Sequence, residues 1–198
     1  FTMLTRLAKS ISMELQAHRR ALQSQMNPHF LFNMLSVISE SSEESGDTRT
    51  VSMCLKLSAM MRYIADFNDD CASLADELAN AQNYLDLMHD RYEDRFRYEI
   101  HTAGALESIM VPKMIIQPLA ENCFSHGFRD CRPPWLIRID VEAQGKRWTL
   151  RVTDNGSGVT DETIRLIHEK VETYRSDVAT NYKNLRLGGM GLVNTLLR

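Results

Sequence analysis

Apolar residues recur at helical spacing through the first ninety or so positions of this chain. Leu4, Ala8, Ile11, Leu15, His18 and Leu22 follow one another at intervals of four and three, a heptad-like seam. Met53, Leu57, Met60, Ile64 and Phe67 repeat the pattern, and so do Leu74, Leu78, Ala81, Leu85 and Met88. The polar stretch SSEESGDT, with its single glycine, divides the first two helices and suits a helix–helix turn. Two long helices joined this way bury too little of both stripes on their own. Pairing two such hairpins into a four-helix bundle covers the stripes, so a homodimer is expected.

From about Phe96 the period changes from helix to strand. Phe96, Tyr98 and Ile100 alternate with polar residues. Trp135, Ile137, Ile139, Val141 and Ala143 alternate over a longer run, with Arg138, Asp140 and Glu142 on the other face. QGKR turns the chain into Trp148, Leu150 and Val152, which predicts an antiparallel hairpin with one buried face. Between these strands PKMIIQPLAENCFSHGF predicts a helix opened by Pro112, and a further helix is expected over about Asp161 to Tyr174. RSDVATNYKNLR then shows no apolar period. The expected fold class is α+β: a helical hairpin followed by a sheet with helices on one face.

Composition narrows the function classes. The 198 residues are 43% hydrophobic and 25% charged, ordinary for a globular chain, and the net charge of −3 with no basic run argues against nucleic acid as a partner. Cys54, Cys71, Cys123 and Cys131 form no CxxC pair or metal-ligand spacing, so reduced thiols in a cytosolic compartment are expected. No apolar run is long enough to span a bilayer, so direct membrane contact is not expected of this stretch. Because the chain begins at Phe1 and stops at Arg198, it reads as a piece of a larger protein, with a membrane segment upstream left open.

Candidate chemistry begins in QMNPHFLFNML, Gln25 to Leu35, where a proline interrupts a helical pattern. In a helix restarting at Pro28, Leu31, Met34, Leu35 and Ile38 share one side while His29 and Asn33 fall almost opposite. His29 is therefore predicted on the outer face. A neutral imidazole is a good nucleophile near pH 7, and Asn33 one turn on can hydrogen-bond a group that His29 carries or orient a water beside it. A surface histidine beside a helix kink would look the same.

A second signal lies in the Pro112 helix, where Ile115, Leu119, Asn122 and His126 fall on one stripe that is apolar at its start and polar at its end. Asn on a buried face needs a partner. One functional reading makes Asn122 an oxygen ligand for a hydrated Mg²⁺ bridging nucleotide phosphates, with Glu121 accepting a proton or holding a metal-bound water. The alternative is a plain helix end capped at His126-Gly127.

DNGSG, Asp154 to Gly158, ends the strand through Trp148, Leu150 and Val152, and period two puts Asp154 on the same inward face. A buried carboxylate there needs a donor, for which an adenine amino group is suitable, while Gly156 and Gly158 allow a close backbone approach to a planar ring. An ordinary Asp-Asn-Gly turn is the competing account. LGGMGLVN places Gly189 and Gly191 before a predicted helix, a backbone suited to cradling phosphate.

Taken together and in order, these elements resemble the LytS-type sensor histidine kinases of two-component systems. NPHFLFN resembles their phosphoacceptor motif, IIQPLAENCFSHG their N box, DNGSG and GMGLVN their glycine boxes, and LSAMMRY and DELANAQNYLDLMHDRYEDR their connecting helices. The resemblance implies a helical dimerisation and phosphoacceptor region over 1–92 and a Bergerat-type ATP-binding α/β sandwich over 93–198, incomplete at its C-terminus. It implies autophosphorylation of His29 from Mg-ATP and transfer to an aspartate of a response regulator. It assigns Asn122 to Mg²⁺, Asp154 to adenine and the glycines around 189–191 to phosphate, and implies a membrane-anchored parent with this portion on the cytoplasmic side. Phe30 stands where many histidine kinases carry an acidic residue, so Glu121 is the expected base. A catalytically weak dimeric scaffold of the same fold is the alternative.

Overall fold

The computed structural model describes residues 28–66, 70–145 and 147–176. The Leu4–Leu22 seam, Phe67, Gly189 and Gly191 lie outside the described residues. The chain divides into two compact units, Phe1–Ser58 and Ala59–Arg198.

In the first unit, helix α1 (Pro28–Glu44) ends at a turn over 45–47, the polar break expected from the sequence. Helix α2 (Thr48–Ala65) follows and runs on into the second unit. Its start is held by Asp47, whose carboxylate accepts from the Thr50 amide (3.1 Å) and the Thr50 hydroxyl (2.5 Å). Leu31, Phe32 and Leu35 of α1 are half-buried and Cys54 of α2 is buried. Met34 and Ile38, predicted on the same side as Leu31 and Leu35, are exposed instead.

The second unit is built around a sheet. Strand β1 (Cys71–Ser73) leads directly into helix α3 (Leu74–Tyr92). Ser73 caps that helix: its hydroxyl oxygen accepts from the Asp76 amide (3.0 Å) and its hydroxyl donates to the Asp76 carboxylate (2.7 Å). Acidic Asp76 and Glu77 in the first turn and basic His89 and Arg91 in the last complement the helix dipole. Strand β2 (Phe96–Ala103) follows, then β3 (Met110–Pro112), helix α4 (Gln117–Asn122), β4 (Trp135–Gln144), β5 (Arg147–Asp154) and helix α5 (Asp161–Ser176). β3 pairs antiparallel with β1, placing Ala72 opposite Val111. The main sheet has the order β2-β4-β5, with β2 parallel to β4 and β5 antiparallel to it.

Only one face of β4 is buried, by Ile137, Ile139 and Val141, while Arg138 and Glu142 point to solvent, as the alternation predicts. Those three side chains join Phe96, Leu74, Leu78, Ala81, Leu85, Ile116, Ala120 and Cys123 in one core. Each fully buried large aliphatic or aromatic side chain contributes about 1.5–3 kcal/mol. Helix α3 thus contributes its apolar stripe to the core of the second unit. An apolar stripe shows that a helix has a buried face, not which neighbour covers it.

Pro112 does not open the helix. It closes β3, where its missing N–H costs nothing at a strand end, and residues 113–116 bend irregularly, with Met114 at φ +63°. The helix starts five residues later, with Pro118 in its first turn. After Asn122 the backbone widens into a π-helical turn, Cys123–Gly127, closed by the Phe128 amide donating to the Cys123 carbonyl (2.8 Å).

Candidate functional site

His29 is exposed on the first turn of α1, as predicted, and Asn33 one turn on meets it: Asn33 Nδ2 lies 3.3 Å from His29 Nδ1. The i, i+4 spacing on a helix brings the two side chains into register. Either imidazole tautomer is compatible with an amide partner, since a half-turn of the Asn33 amide exchanges its donor for its acceptor.

The remaining described residues nominated from the sequence belong to the second unit, around the π turn and the end of β5. Asp154 is half-buried and inward-facing, and its Oδ1 accepts from the Gly156 amide (2.8 Å). Two glycines make room for it. A methyl at Gly127 would sit 3.0 Å from Asp154 Oδ1, and one at Gly156 would sit 2.2 Å from the Gly127 carbonyl oxygen. The Ser157 amide donates to that same carbonyl (2.9 Å), so the DNG turn is fastened to the end of the π turn. Gly158 adopts φ +72° with open space around it, a backbone state that favours glycine.

Three residues that the sequence reading passed over complete this closure. Buried Cys123 faces Asp154. Burial, then the charge of Asp154 and a hydrogen bond to it, push the thiol up to about 12, so it stays a neutral donor. Asn155 links the turn to the start of β4, accepting from the Leu136 amide (2.8 Å) and donating to the Pro134 carbonyl (3.0 Å). Phe124 packs edge-on against Phe96 at 4.8 Å and stacks on Tyr92 at 5.6 Å, which braces the π turn from the core side. The spacing of Cys123 and Phe124 after the N-box asparagine was the signal available for two of them.

Asn122 is partly buried, and its Nδ2 is buried without a hydrogen-bond partner among the described residues. Its amide is thus not consumed by its own helix. Glu121 is exposed and accepts from Gln117 Nε2 (2.7 Å), whose Oε1 accepts from Asn80 Nδ2 (2.8 Å). Nearby, burial and the charge of Glu121 raise the Tyr84 hydroxyl above its ordinary value. His126 is exposed on the π turn, where the wider spacing breaks the stripe through Ile115, Leu119 and Asn122. Among the described residues no three His, Cys, Asp or Glu side chains cluster as a metal site, so a cation bound at Asn122 would draw most of its shell from phosphate and water. The half-used Asp154 carboxylate and the glycine clearances fit the adenine end of a nucleotide, and the amide oxygen of Asn122 is the atom that would meet Mg²⁺. An open groove of about 500 Å³, lined by Tyr63, Ser73, Asn80, Asn83 and Lys113 among others, includes none of the nominated residues.

Residues 17–96 match the family of histidine kinases, and residues 110–198 match the family of histidine kinase-, DNA gyrase B- and HSP90-like ATPases. The chain belongs to the histidine kinases. It is 29% identical to the sensor protein LytS of Staphylococcus haemolyticus over 90% of its own length, and 33% identical to the sensor histidine kinase YpdA of Escherichia coli over 77%. It is 27% identical to the sensor histidine kinase YesM of Bacillus subtilis over 71%. The chain spans 31%, 27% and 24% of those three relatives, respectively. The family assignment agrees with the α+β architecture and with an ATP-binding second half. Among the described residues no helix is long and apolar enough to cross a membrane.

Proposed function

We propose that this chain is the kinase portion of a membrane-anchored sensor, working on the cytoplasmic side as a homodimer. It transfers the γ-phosphoryl group of ATP to His29 and then to an aspartate of a response-regulator receiver domain. The observation that carries this reading is the closure at Asp154: an inward carboxylate with acceptor capacity to spare, beside Gly156, where no side chain fits, and Gly127, where one would crowd the carboxylate.

Asp154 accepts the adenine amino group, and Gly156 and Gly158 keep the backbone flat against the ring. Asn122 holds Mg²⁺ through its amide oxygen, with His126 on the adjoining turn and Gly189 and Gly191 at the phosphates. When bound, Mg²⁺ neutralises phosphate charge and aligns the chain for in-line transfer. Asn33, with its amide oxygen turned to the ring, holds the proton at His29 Nδ1 and leaves the Nε2 lone pair free. The Nε2–phosphorus bond forms as the bond from γ-phosphorus to the bridging oxygen breaks, and that electron pair leaves with ADP. The Nδ1 proton then passes to a carboxylate, a role we assign to Glu121.

Incorporation of γ-labelled phosphate from Mg-ATP tests the assignment. Acid-labile, base-stable label is expected in the parent chain and absent from His29→Gln and Asn122→Ala. Label that persists in His29→Gln would overturn the phosphoacceptor assignment.

A further inference from the structure

Glu77 is fully buried on the first turn of α3, and among the described residues no lysine or arginine forms an ion pair with it. A buried carboxylate without a counter-charge is costly unless its lone pairs are filled. Four donors fill them. The amide of Met114 donates to Oε1 (2.6 Å), those of Ile115 and Ile116 donate to Oε2 (2.8 and 3.2 Å), and the Tyr63 hydroxyl donates to Oε1. The three amides belong to the bend that leads into α4. Ile116, the residue before that helix, offers no side-chain cap, so Glu77 supplies the missing acceptor from another element. Met114 holds φ +63° in the same bend, a conformation a non-glycine residue keeps only when its surroundings impose it.

Helix α4 is only six residues long, and Glu121 and Asn122 are its last two. Whatever fixes its first turn fixes them. Gln117, at that first turn, also carries the hydrogen bond to Glu121 and is itself held by Asn80 of α3. Tyr63 sits in the last full turn of α2, the helix that begins at Thr48. Resting on the kinase reading above, we propose that Glu77 is a positioning residue that sets Asn122 and Glu121 for the phosphate end of the nucleotide. Tyr63 is the member of this clamp through which α2 tightens or releases it. Asp154, on β5, holds the adenine end independently of the clamp.

The test uses the 198-residue chain with Tyr63→Phe, which keeps the ring and removes the donor, alongside Glu77→Gln. Backbone hydrogen exchange and ADP binding with and without Mg²⁺ are measured on the same samples. In Tyr63→Phe the amides from Met114 through Asn122 are expected to exchange roughly tenfold faster, the scale of one hydrogen bond to a charged group. Strands β4 and β5 are expected to keep their protection. The Mg²⁺-dependent gain in ADP affinity and the kcat of His29 labelling fall, while ADP affinity without Mg²⁺ stays. Glu77→Gln gives a larger effect of the same pattern, and if it does not fold, Tyr63→Phe decides alone. Faster exchange confined to 114–116, or equal losses of ADP affinity with and without Mg²⁺, overturns the proposal. If the parent chain binds no Mg-ADP and takes no label, the kinase reading fails, and the exchange at Asn122 still decides whether the clamp positions it.

Discussion

The two compact units differ most in what they bury. The second unit seats Phe96, Leu74, Leu85, Ile116, Ile137 and Ile139 at essentially zero exposure around one sheet face. In the first, Phe30, Val37 and Leu55 are 58%, 57% and 62% exposed. The second unit has a buried core of its own, although Met110, Val159 and Leu166 stay exposed on it, while among the described residues of the first only Cys54 is a buried hydrophobic. Folding stability in the second unit is thus a matter of internal packing. In the first, Phe30, Val37 and Leu55 leave apolar side chains that the proposed homodimer would cover.

That contrast is broken most severely from the core side. Phe96→Ala is expected to lower the unfolding free energy by about 3–5 kcal/mol, read by denaturant titration, because it empties the centre of the aromatic and aliphatic cluster. A loss below about 1 kcal/mol would mean the second unit is not organised around that cluster. The next effect concerns Cys123. Its thiol is raised from 9.0 to about 12 in the folded chain, so the stability it contributes is complete below pH 9 and is lost as pH rises towards 12. Unfolding free energy measured from pH 8 to 9.5, below the range where the raised tyrosines contribute, should fall with a slope rising to about 1 kcal/mol per pH unit, and Cys123→Ala should reduce that fall. An unchanged slope would show that the thiol ionises freely. The smallest effect on the folding of a single chain is expected from Val37→Ser, within about 0.5 kcal/mol. The same substitution should weaken self-association in sedimentation, and an unchanged association constant would remove Val37 from the dimer face.

Legibility in the sequence followed the strength of the local period. The alternation through Trp135–Ala143 and Trp148–Val152 located β4 and β5 and put Asp154 on the inward face, where it is found. The i, i+4 spacing of His29 and Asn33 likewise anticipated their contact. The start of α4 was misplaced because two prolines competed for the first-turn position, and Pro118 rather than Pro112 occupies it. Nothing local marks that choice: the amides of residues 114–116 go to Glu77, thirty-seven or more residues earlier in the chain. A glutamate three residues after Leu74 and just before Leu78, inside an apolar stripe, was the visible sign that such a partner was needed.

The sequence by itself determined the longer helices and strands and their order, the family motifs and the residue types at the chemistry, because each depends on period, turn composition and spacing along the chain. The short β1 and β3 left no such signal. Only the tertiary structure decided that α3 packs against the sheet, that Gly127 and Gly156 close on Asp154, and that Glu77 and Tyr63 hold the bend before Asn122. Those arrangements rest on hydrogen bonds and van der Waals contacts between segments far apart in the chain, whose partners are chosen when the backbone is packed and not by local preference.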